Sequence, residues 1–235
     1  MRRMRKNPSV RWPVKPFELL AQTLSPDGSA IKLVRRDDEY IILADGAVLM
    51  SSRMHGSEEA LATLACQRLR TSERPRVLIG GLGMGFTLRA TLDVLPPEST
   101  VVVAELVPAV VEWNRGLLGP LAKHPLRDPR VQLENADVLV TLSASTDQFD
   151  AVLLDVDNGP GAFTSSGNLE LYTQRGITAA RTALKKRGML SIWATQEDQK
   201  FVERLRHNGF EAHVHHLRAR LKKGPRHIIF LARKS

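Results

Sequence analysis

The stretch Val77-Leu78-Ile79-Gly80-Gly81-Leu82-Gly83-Met84-Gly85-Phe86 decides the fold. An apolar run leads into a glycine-rich turn and then into a helical pattern, which is typical of the start of a Rossmann-like sheet. Further along, Val101-Val102-Val103-Ala104-Glu105 is a second apolar strand that ends on a carboxylate. Glycines let the backbone approach a ligand closely, and the acid can accept two ribose hydroxyls. This pairing predicts a site for an adenosine-like cofactor.

The glycine spacing narrows the kind of cofactor. Gly81, Gly83 and Gly85 give the pattern G-x-G-x-G, whereas the dinucleotide fingerprint needs a glycine where the chain has Phe86. The shorter spacing suits a cofactor without phosphates, such as S-adenosylmethionine or its decarboxylated form. We expect the three glycines and Glu105 to bind it. The alternative is a tight strand-to-helix turn that binds no ligand.

Composition favours one large domain, or one domain with a small appendage. The chain has 235 residues, of which 43% are hydrophobic, and no apolar run reaches the ~18 residues that span a bilayer. The basic N-terminus lacks the apolar core of a secretory signal. The single cysteine, Cys66, lies in an apolar helical run and is interpreted as a packing residue. We therefore expect a cytoplasmic protein that does not contact a membrane.

The formal net charge is +9, from 34 Lys and Arg against 25 Asp and Glu. Much of it lies in residues 1–15 and 218–226. These basic ends permit a weak contact with nucleic acid, or they are a solvated tail and a solubilising hairpin loop. The second interpretation is favoured, because only 5% of residues are aromatic and no base-stacking platform is evident.

The chain divides into three predicted parts. Residues 1–18 form a basic tail, and residues 73–235 form the cofactor-binding domain. Between them, residues 19–72 form a small β-meander unit followed by a helix that begins with Ser57 as N-cap. The meander strands are predicted at 30–36, 39–44 and 47–50.

From residue 76 onward, strands alternate with helices. Continuous apolar strands imply burial on both faces, as in a parallel sheet, and the short link before the last strand allows only a hairpin. The sequence thus predicts an α/β fold: a doubly wound, Rossmann-like, methyltransferase-type sheet, mostly parallel with an antiparallel last strand, plus the small N-terminal β-unit. The predicted strands are 76–80, 100–105, 130–134, 149–155, 188–194, 210–217 and 226–233, and the predicted helices are 84–94, 107–118, 169–186 and 196–207.

Polar residues follow several of the predicted strands. Glu105, Asp137 and Asp155 each lie at or just after a strand end, and Gln196 follows the fifth strand of the main domain. Ligands of open parallel sheets bind at the carboxyl ends of the strands. Clustered carboxylates are costly without a ligand to satisfy them, so this coincidence predicts a binding site at that edge.

The order of the motifs resembles that of the polyamine aminopropyltransferases, the spermidine synthase family, within the class I S-adenosylmethionine-dependent methyltransferase fold. The resemblance covers residues about 50–200. It rests on Gly81-x-Gly83-x-Gly85-x-Thr87-Leu88-Arg89, Glu105-Leu106-Val107-Pro108, Asp128-Pro129-Arg130-Val131, Asp137, Phe149-Asp150-Ala151-Val152-Leu153-Leu154-Asp155, Leu171-Tyr172 and Leu184-Lys185-Lys186-Arg187-Gly188.

The resemblance implies a transferase of polyamine biosynthesis that uses decarboxylated S-adenosylmethionine or S-adenosylmethionine and a small amine acceptor. Asp155 matches the family's catalytic carboxylate, which deprotonates the attacking amine. Glu105 would hold the ribose hydroxyls, and Asp137 would face the adenine edge. A homodimer is also expected.

Substrate contacts are expected from three further residues. Asp157 lies two residues after Asp155, so on a regular strand the two would share a face. His55 lies close to where the family's substrate lid begins, and Gln196 lies beside the predicted pocket. No metal is expected. The predicted strand 210–217 contains His213, His215 and His216, but no cysteine or carboxylate cluster accompanies them to complete a metal site.

Two alternative functions stay open. The first is a methyltransferase that uses intact S-adenosylmethionine, because Met84 stands where the family has an aspartate that contacts the cofactor's aminopropyl ammonium. The second is a non-catalytic module that binds a cofactor or a nucleic acid, for which the basic ends are the reason.

Overall fold

The computed structural model describes residues 15–156, 159–160, 168–220 and 223–235. They form a four-stranded sheet and a seven-stranded sheet. The seven-stranded sheet is mostly parallel and the small N-terminal sheet is antiparallel, so the predicted α/β fold class is confirmed. Most of the predicted basic tail lies outside the described residues.

The small sheet is a meander of strands β1 (Glu18–Leu24), β2 (Ala30–Arg36), β3 (Glu39–Ala44) and β4 (Ala47–Ser51). Each strand pairs with the next in antiparallel register. The sequence predicted only the last three of these strands. The first was missed because a bulge between Leu19 and Ala21 interrupts its apolar alternation.

Helix α1 (Gly56–Cys66) follows the small sheet. The prediction of Ser57 as its N-cap is wrong, since His55 occupies that position and makes no side-chain capping bond. Ser57 is instead fully buried, and its hydroxyl is hydrogen-bonded to side chains of the large sheet and of α1 itself. The sequence predicted a contact within the first turn of α1, whereas the structure also shows a hydrogen bond to His227, which is 170 residues further along the chain.

The large sheet has the strand order β10-β11-β9-β8-β5-β6-β7. The strands β7, β6, β5, β8 and β9 are parallel to one another, and β11 is antiparallel between β9 and β10. This arrangement confirms the antiparallel last strand. The bounds are β5 (Arg76–Gly80), β6 (Thr100–Ala104), β7 (Val131–Glu134), β8 (Phe149–Leu154), β9 (Leu184–Ala194), β10 (Phe210–Arg220) and β11 (Lys223–Lys234).

The remaining helices are α2 (Phe86–Val94), α3 (Pro108–Arg115), α4 (Val138–Ser143), α5 (Gln174–Ala183) and α6 (Gln199–His207). Helices α3 and α6 are each three to four residues shorter than predicted, and two other helices differ more. The short α4 was missed, because six residues carry too little periodicity to be recognised. Helix α5 is shorter than the predicted 169–186, because residues 168–172 form a separate 3₁₀ turn and β9 begins at Leu184.

Apolar residues cover both faces of the large sheet. Alternate residues of β5 and β6 face opposite sides: Leu78 and Val102 pack with α4, α5 and α6, whereas Val77 and Val101 pack with α1, α2 and α3. Cys66 is fully buried in the second group, and burial raises the pKa of its thiol to about 12. It is therefore a packing residue, as its sequence context indicates. Among the described residues, no helix combines the length and apolarity needed to cross a membrane.

Candidate active site

The strand order places the candidate site at a topological switch point. From β5 the chain continues to β6 on one side, while β8 pairs with β5 on the other side. Crevices outside the carboxyl ends of such strands are where open α/β sheets bind ligands. Gly81 follows β5, Glu105 follows β6 and Asp155 follows β8, so the structure brings these three predicted residues together.

The glycine turn packs directly against the end of β8. Gly81 has a positive φ of 86°, and a Cβ atom there would lie 2.4 Å from the carbonyl oxygen of Asp155. Its amide donates a hydrogen bond of 2.9 Å to the carbonyl of Ala104. Gly83 has φ +52°, and a Cβ there would meet the Met50 sulfur at 2.8 Å. Close packing therefore explains Gly81 by itself, and binding of a cofactor by Gly81, Gly83 and Gly85 stays a prediction.

Glu105 ties the glycine turn to the next loop. Its side chain is buried, and the amides of Leu82 and Val107 each donate a 2.8 Å hydrogen bond to one of its carboxylate oxygens. Burial raises the pKa of Glu105, and these amide hydrogen bonds oppose the rise. A carboxylate has about four lone-pair sites, so Glu105 retains capacity to accept a hydrogen bond from a ligand hydroxyl.

Asp137 has a structural role of its own. It is the N-cap of α4, and its Oδ1 accepts a 2.8 Å hydrogen bond from the amide of Leu139. The side-chain amide of the neighbouring Asn135 donates a 3.0 Å hydrogen bond to the carbonyl oxygen of Glu105. This bond holds the end of β7 beside the end of β6. Asp137 thus lies at the same edge of the sheet as Glu105, and its contact with adenine stays a prediction.

Asp155 is positioned by α2 and by β5. The Thr87 hydroxyl donates a 2.6 Å hydrogen bond to Asp155 Oδ2. The Asp155 backbone amide donates a 2.9 Å hydrogen bond to the Gly80 carbonyl. Burial raises the pKa of Asp155, whereas the bond from Thr87 acts to lower it. A carboxylate whose pKa lies above its usual range is a better proton acceptor at neutral pH, because its proton affinity is closer to that of the donor.

A second carboxylate interacts electrostatically with Asp155 and was missed from the sequence. Glu58 is only 5% exposed, and burial together with the charge of Asp155 raises its pKa to about 7. In the sequence, Glu58 and Glu59 resemble ordinary acids of a helix first turn. The signal that could have found Glu58 is periodicity, since it lies three residues before the buried Leu61 on the same face of α1.

Glu58 is part of a hydrogen-bonded chain that reaches β11. The Ser57 hydroxyl donates to Glu58 Oε2 at 2.6 Å and lies 2.7 Å from His227 Nδ1. The Trp193 ring packs edge-on against the His227 ring, with 4.7 Å between centroids. Burial lowers the pKa of His227. In the described part of the chain, the indole nitrogen of Trp193 is buried without a hydrogen-bond partner.

The predicted substrate contacts are only partly placed. The His55 ring stacks on Phe86, the first residue of α2, with 4.1 Å between centroids, and its Nδ1 lies 2.8 Å from Glu59 Oε1. Gln196 is exposed just after β9. Asp157 lies outside the described residues. All three stay predictions as substrate contacts.

The β10 histidines show no arrangement suited to a metal. His216 lies 3.3 Å from Glu197. Across the described ranges, no group of three or more His, Cys, Asp or Glu is placed to hold a metal ion.

The sheet order and the polar strand ends define a Rossmann-like protein of the methyltransferase type. No protein-family model matches the chain. Curated relatives do: a polyamine aminopropyltransferase of Oceanobacillus iheyensis is 32% identical over 169 residues, which are 69% of this chain and 31% of the relative. A polyamine aminopropyltransferase of Nitrosomonas europaea is 33% identical over 119 residues, 51% of this chain and 34% of the relative. The matches thus span about a third of each relative's length.

Solved structures show the same fold. The spermidine synthase from Thermotoga maritima has a TM-score of 0.74 at 20% identity, covering 98% of this chain and 85% of that chain. A spermidine synthase in complex with the transition state analogue AdoDATO has a TM-score of 0.73 at 21% identity, and the match covers 92% of this chain and 74% of that chain. The resemblance to the spermidine synthase family is confirmed: curated relatives and structural neighbours carry that family's names.

Proposed function

We propose that the chain is a spermidine synthase-like transferase, which moves the aminopropyl group of decarboxylated S-adenosylmethionine to a small amine. The observation that carries this proposal is the placement of Asp155 at the switch point, hydrogen-bonded to Thr87 and packed against the glycine turn. Support comes from the relatives named polyamine aminopropyltransferase and from the neighbour bound to AdoDATO.

The chemistry needs a neutral amine in line with a carbon of the sulfonium donor. The amine nitrogen forms a bond to that carbon, and the carbon–sulfur bond breaks with its electron pair moving to sulfur, which becomes a neutral thioether. The neutral amine forms when the carboxylate of Asp155 takes a proton from the bound substrate ammonium before the attack. Holding the two reactants in one geometry supplies much of the acceleration, and a positioned base adds to it.

The donor would be held by the glycine turn and by Glu105, whose oxygens retain lone pairs for the ribose. Asp137 would face the adenine edge. The acceptor amine would contact Asp155 and, as further proposals, His55, Asp157 and Gln196. Buried carboxylates attract a cationic substrate locally, even though the chain has a net charge of +9.

The direct test is a transfer assay. Purified protein is incubated with decarboxylated S-adenosylmethionine and putrescine or a longer amine, and mass spectrometry follows methylthioadenosine and the aminopropylated amine. We expect equal amounts of both products. Asp155→Asn should lower turnover by about 10²-fold or more while donor binding measured by calorimetry persists. Absence of methylthioadenosine with every amine tested would refute the proposal.

A methyltransferase is the second candidate, and Met84 is the observation that favours it. Met84 is fully buried in the apolar cluster beneath the glycine turn, so it offers no charge to an aminopropyl ammonium. Calorimetry with both forms of the cofactor separates the candidates. A clear preference for the decarboxylated form excludes the methyltransferase, and a clear preference for the intact form excludes the aminopropyltransferase.

The expected homodimer, the cytoplasmic location and the weak nucleic-acid contact are proposals that rest on the sequence alone. Light scattering at several concentrations tests the dimer. A salt titration with RNA or DNA tests the nucleic-acid contact, because phosphate binding weakens steeply with salt. If the logarithm of the binding constant does not change with the logarithm of the salt concentration, nucleic acid is excluded as a partner.

A further inference from the structure

Asp155 and His227 lie at the same edge of the large sheet. In the register of β8 with β9, Leu154 is opposite Ile192, and in the register of β9 with β11, Ala194 is opposite Ile228. Asp155 follows Leu154, and His227 precedes Ile228 on the antiparallel strand. Both residues therefore stand beside the carboxyl end of β9, one on each side of it.

The first turn of α1 bridges the two residues. Ser57 is hydrogen-bonded both to His227 Nδ1, at 2.7 Å, and to Glu58 Oε2, at 2.6 Å. Ser57 is fully buried and Glu58 is nearly so. Glu58 in turn interacts electrostatically with Asp155. The series Asp155, Glu58, Ser57 and His227 thus runs from the proposed reaction centre to a half-buried ring.

We propose that Glu58, Ser57 and His227 form a proton path that carries the proton of the reaction from Asp155 toward solvent. The inference rests on the proposed function, because it assumes that Asp155 receives a proton from the substrate amine. The three residues act through Asp155, so they are positioning and relay residues rather than catalytic ones. They also explain why hydroxyl and imidazole groups are buried beside α1.

Each step of the path conserves protons. The carboxylate of Asp155 takes one proton from the ammonium of the bound acceptor before the attack and passes it to the carboxylate of Glu58. Protonated Glu58 gives that proton to the Ser57 oxygen, while the Ser57 hydroxyl proton moves to His227 Nδ1. The imidazolium then releases its Nε2 proton to water. The second turnover begins after the Ser57 hydroxyl and the imidazole tautomer reorient.

The surrounding charges suit such a path. Burial raises the pKa of Glu58 to about 7, and the charges of Asp155 and Glu59 contribute to the rise. Thr87 donates to Asp155, and Ser57 donates to Glu58. Burial lowers the pKa of His227, so its imidazolium gives up a proton readily. A group with a pKa of about 7, as Glu58 has, can both take up and release a proton near neutral pH.

Variants test the path through turnover. In Ser57→Ala and His227→Ala, we expect kcat to fall about tenfold and the KM for the amine to change less than about twofold, because binding is intact and proton release is slow. Added imidazole should restore most of the kcat lost in His227→Ala. Glu211→Gln, which removes an exposed carboxylate of β10, is the matched control and should behave as wild type.

The variant Glu58→Gln should change the pH dependence of turnover, which a purely structural role of Glu58 would leave unchanged. The charge of Asp155 raises the pKa of Glu58 to about 7, so the kcat profile of wild type should show an inflection near pH 7, and this inflection should be absent in Glu58→Gln. Loss of activity without imidazole rescue, together with the same pH profile in wild type and Glu58→Gln, would show that the three residues only hold α1 on the sheet, and the proposal would fall.

A measurement without substrate separates this inference from the proposed function. In NMR spectra of the His227 ring, we expect an inflection near pH 7, where Glu58 titrates. This inflection should disappear in Glu58→Gln and persist in Glu211→Gln. If wild type forms no aminopropylated product, the proposed function fails while the NMR result still stands. If the ring titrates identically in wild type and Glu58→Gln, the path itself is refuted.

Discussion

Gly81 and Gly83 have similar backbone conformations but different neighbours. A Cβ at Gly81 would collide with a backbone carbonyl at 2.4 Å, whereas one at Gly83 would meet the far end of the Met50 side chain at 2.8 Å. We expect Gly81→Ala to lower the free energy of unfolding by at least ~3 kcal/mol. Gly83→Ala should cost only the left-handed backbone strain, about 1–2 kcal/mol.

Urea unfolding of the two variants and wild type measures this difference. Met50 can rotate away from an alanine at 83, while the end of β8 cannot move without disrupting the sheet. Equal losses in the two variants would mean that positive φ, rather than the contact with Asp155, determines the need for Gly81.

The hydroxyl of Thr87 has a measurable effect on Asp155. Its hydrogen bond stabilises the ionised carboxylate and so lowers the pKa that burial raises. In Thr87→Val, which keeps the side-chain shape, the pKa of Asp155 should rise. We expect the acidic limb of the kcat/KM profile to move to higher pH, with about tenfold lower activity below the limb. Thr91→Val, one helical turn on, should leave the limb in place, because Thr91 bonds to a backbone carbonyl.

At the level of elements, the Asp128-Pro129-Arg130-Val131 motif has a structural explanation. The Arg130 guanidinium forms two hydrogen bonds with the Asp128 carboxylate, at 2.9 and 2.8 Å, and donates a third to the carbonyl of Leu95 at 3.1 Å. The motif thus fastens the start of β7 to the end of α2. Lysine cannot reproduce this fork of donors.

Arg130→Lys is therefore expected to destabilise the protein by about 1–3 kcal/mol. Thermal unfolding and urea titration measure the loss. Arg115→Lys, where an exposed arginine pairs with Glu112 on the same helix, is the control and should change stability by less than ~0.5 kcal/mol. A loss in Arg130→Lys no greater than in the control would contradict the fastening role.

The sequence predicted elements better than contacts. Strands β5, β6 and β8 were recognised because they are continuous apolar runs, and the acids after them because parallel strands end at one edge. Glu58 was not recognised, because nearly a hundred residues of chain separate it from Asp155 and only the packing of α1 on β8 and β9 brings that helix to this edge of the sheet. In the sequence the acids of α1 resemble ordinary residues of a first turn, yet this turn belongs to the site. The predicted three-part domain division stays a prediction.

On the scale of the whole molecule, the sign of the charge differs between surface and site. The chain has 34 basic and 25 acidic residues, whereas the ionisable groups at the switch point whose pKa burial raises are the acids Glu58, Glu105 and Asp155. Desolvation raises the pKa of all three. Like charges confined together disfavour one another's ionisation, so the site retains protons that the unfolded chain would release.

Stability should therefore fall as pH rises toward neutrality. Glu58 titrates at 4.5 when unfolded and at about 7 when folded, so between these values the folded state binds more protons. The free energy of unfolding then decreases with pH, by on the order of 3 kcal/mol for Glu58 alone. Acids whose pKa is lowered on folding, such as Asp128, stop contributing to the free energy of unfolding only at more acidic pH. Urea titrations at pH 5 and 8 measure the change, which should be smaller in Glu58→Gln. Stability that rises over this interval would contradict the buried pair.

A cationic ligand should reverse this pH effect. At pH 8 the ionised carboxylates of Glu58 and Asp155 repel each other, and an ammonium between them removes that repulsion, whereas at pH 5 the retained proton already does so. Putrescine should therefore raise the melting temperature more at pH 8 than at pH 5, while 1,4-butanediol, its uncharged analogue, should have little effect at either. Glu58→Gln should weaken the pH dependence of the putrescine effect. Equal shifts at the two pH values would mean that the amine does not bind at this carboxylate pair.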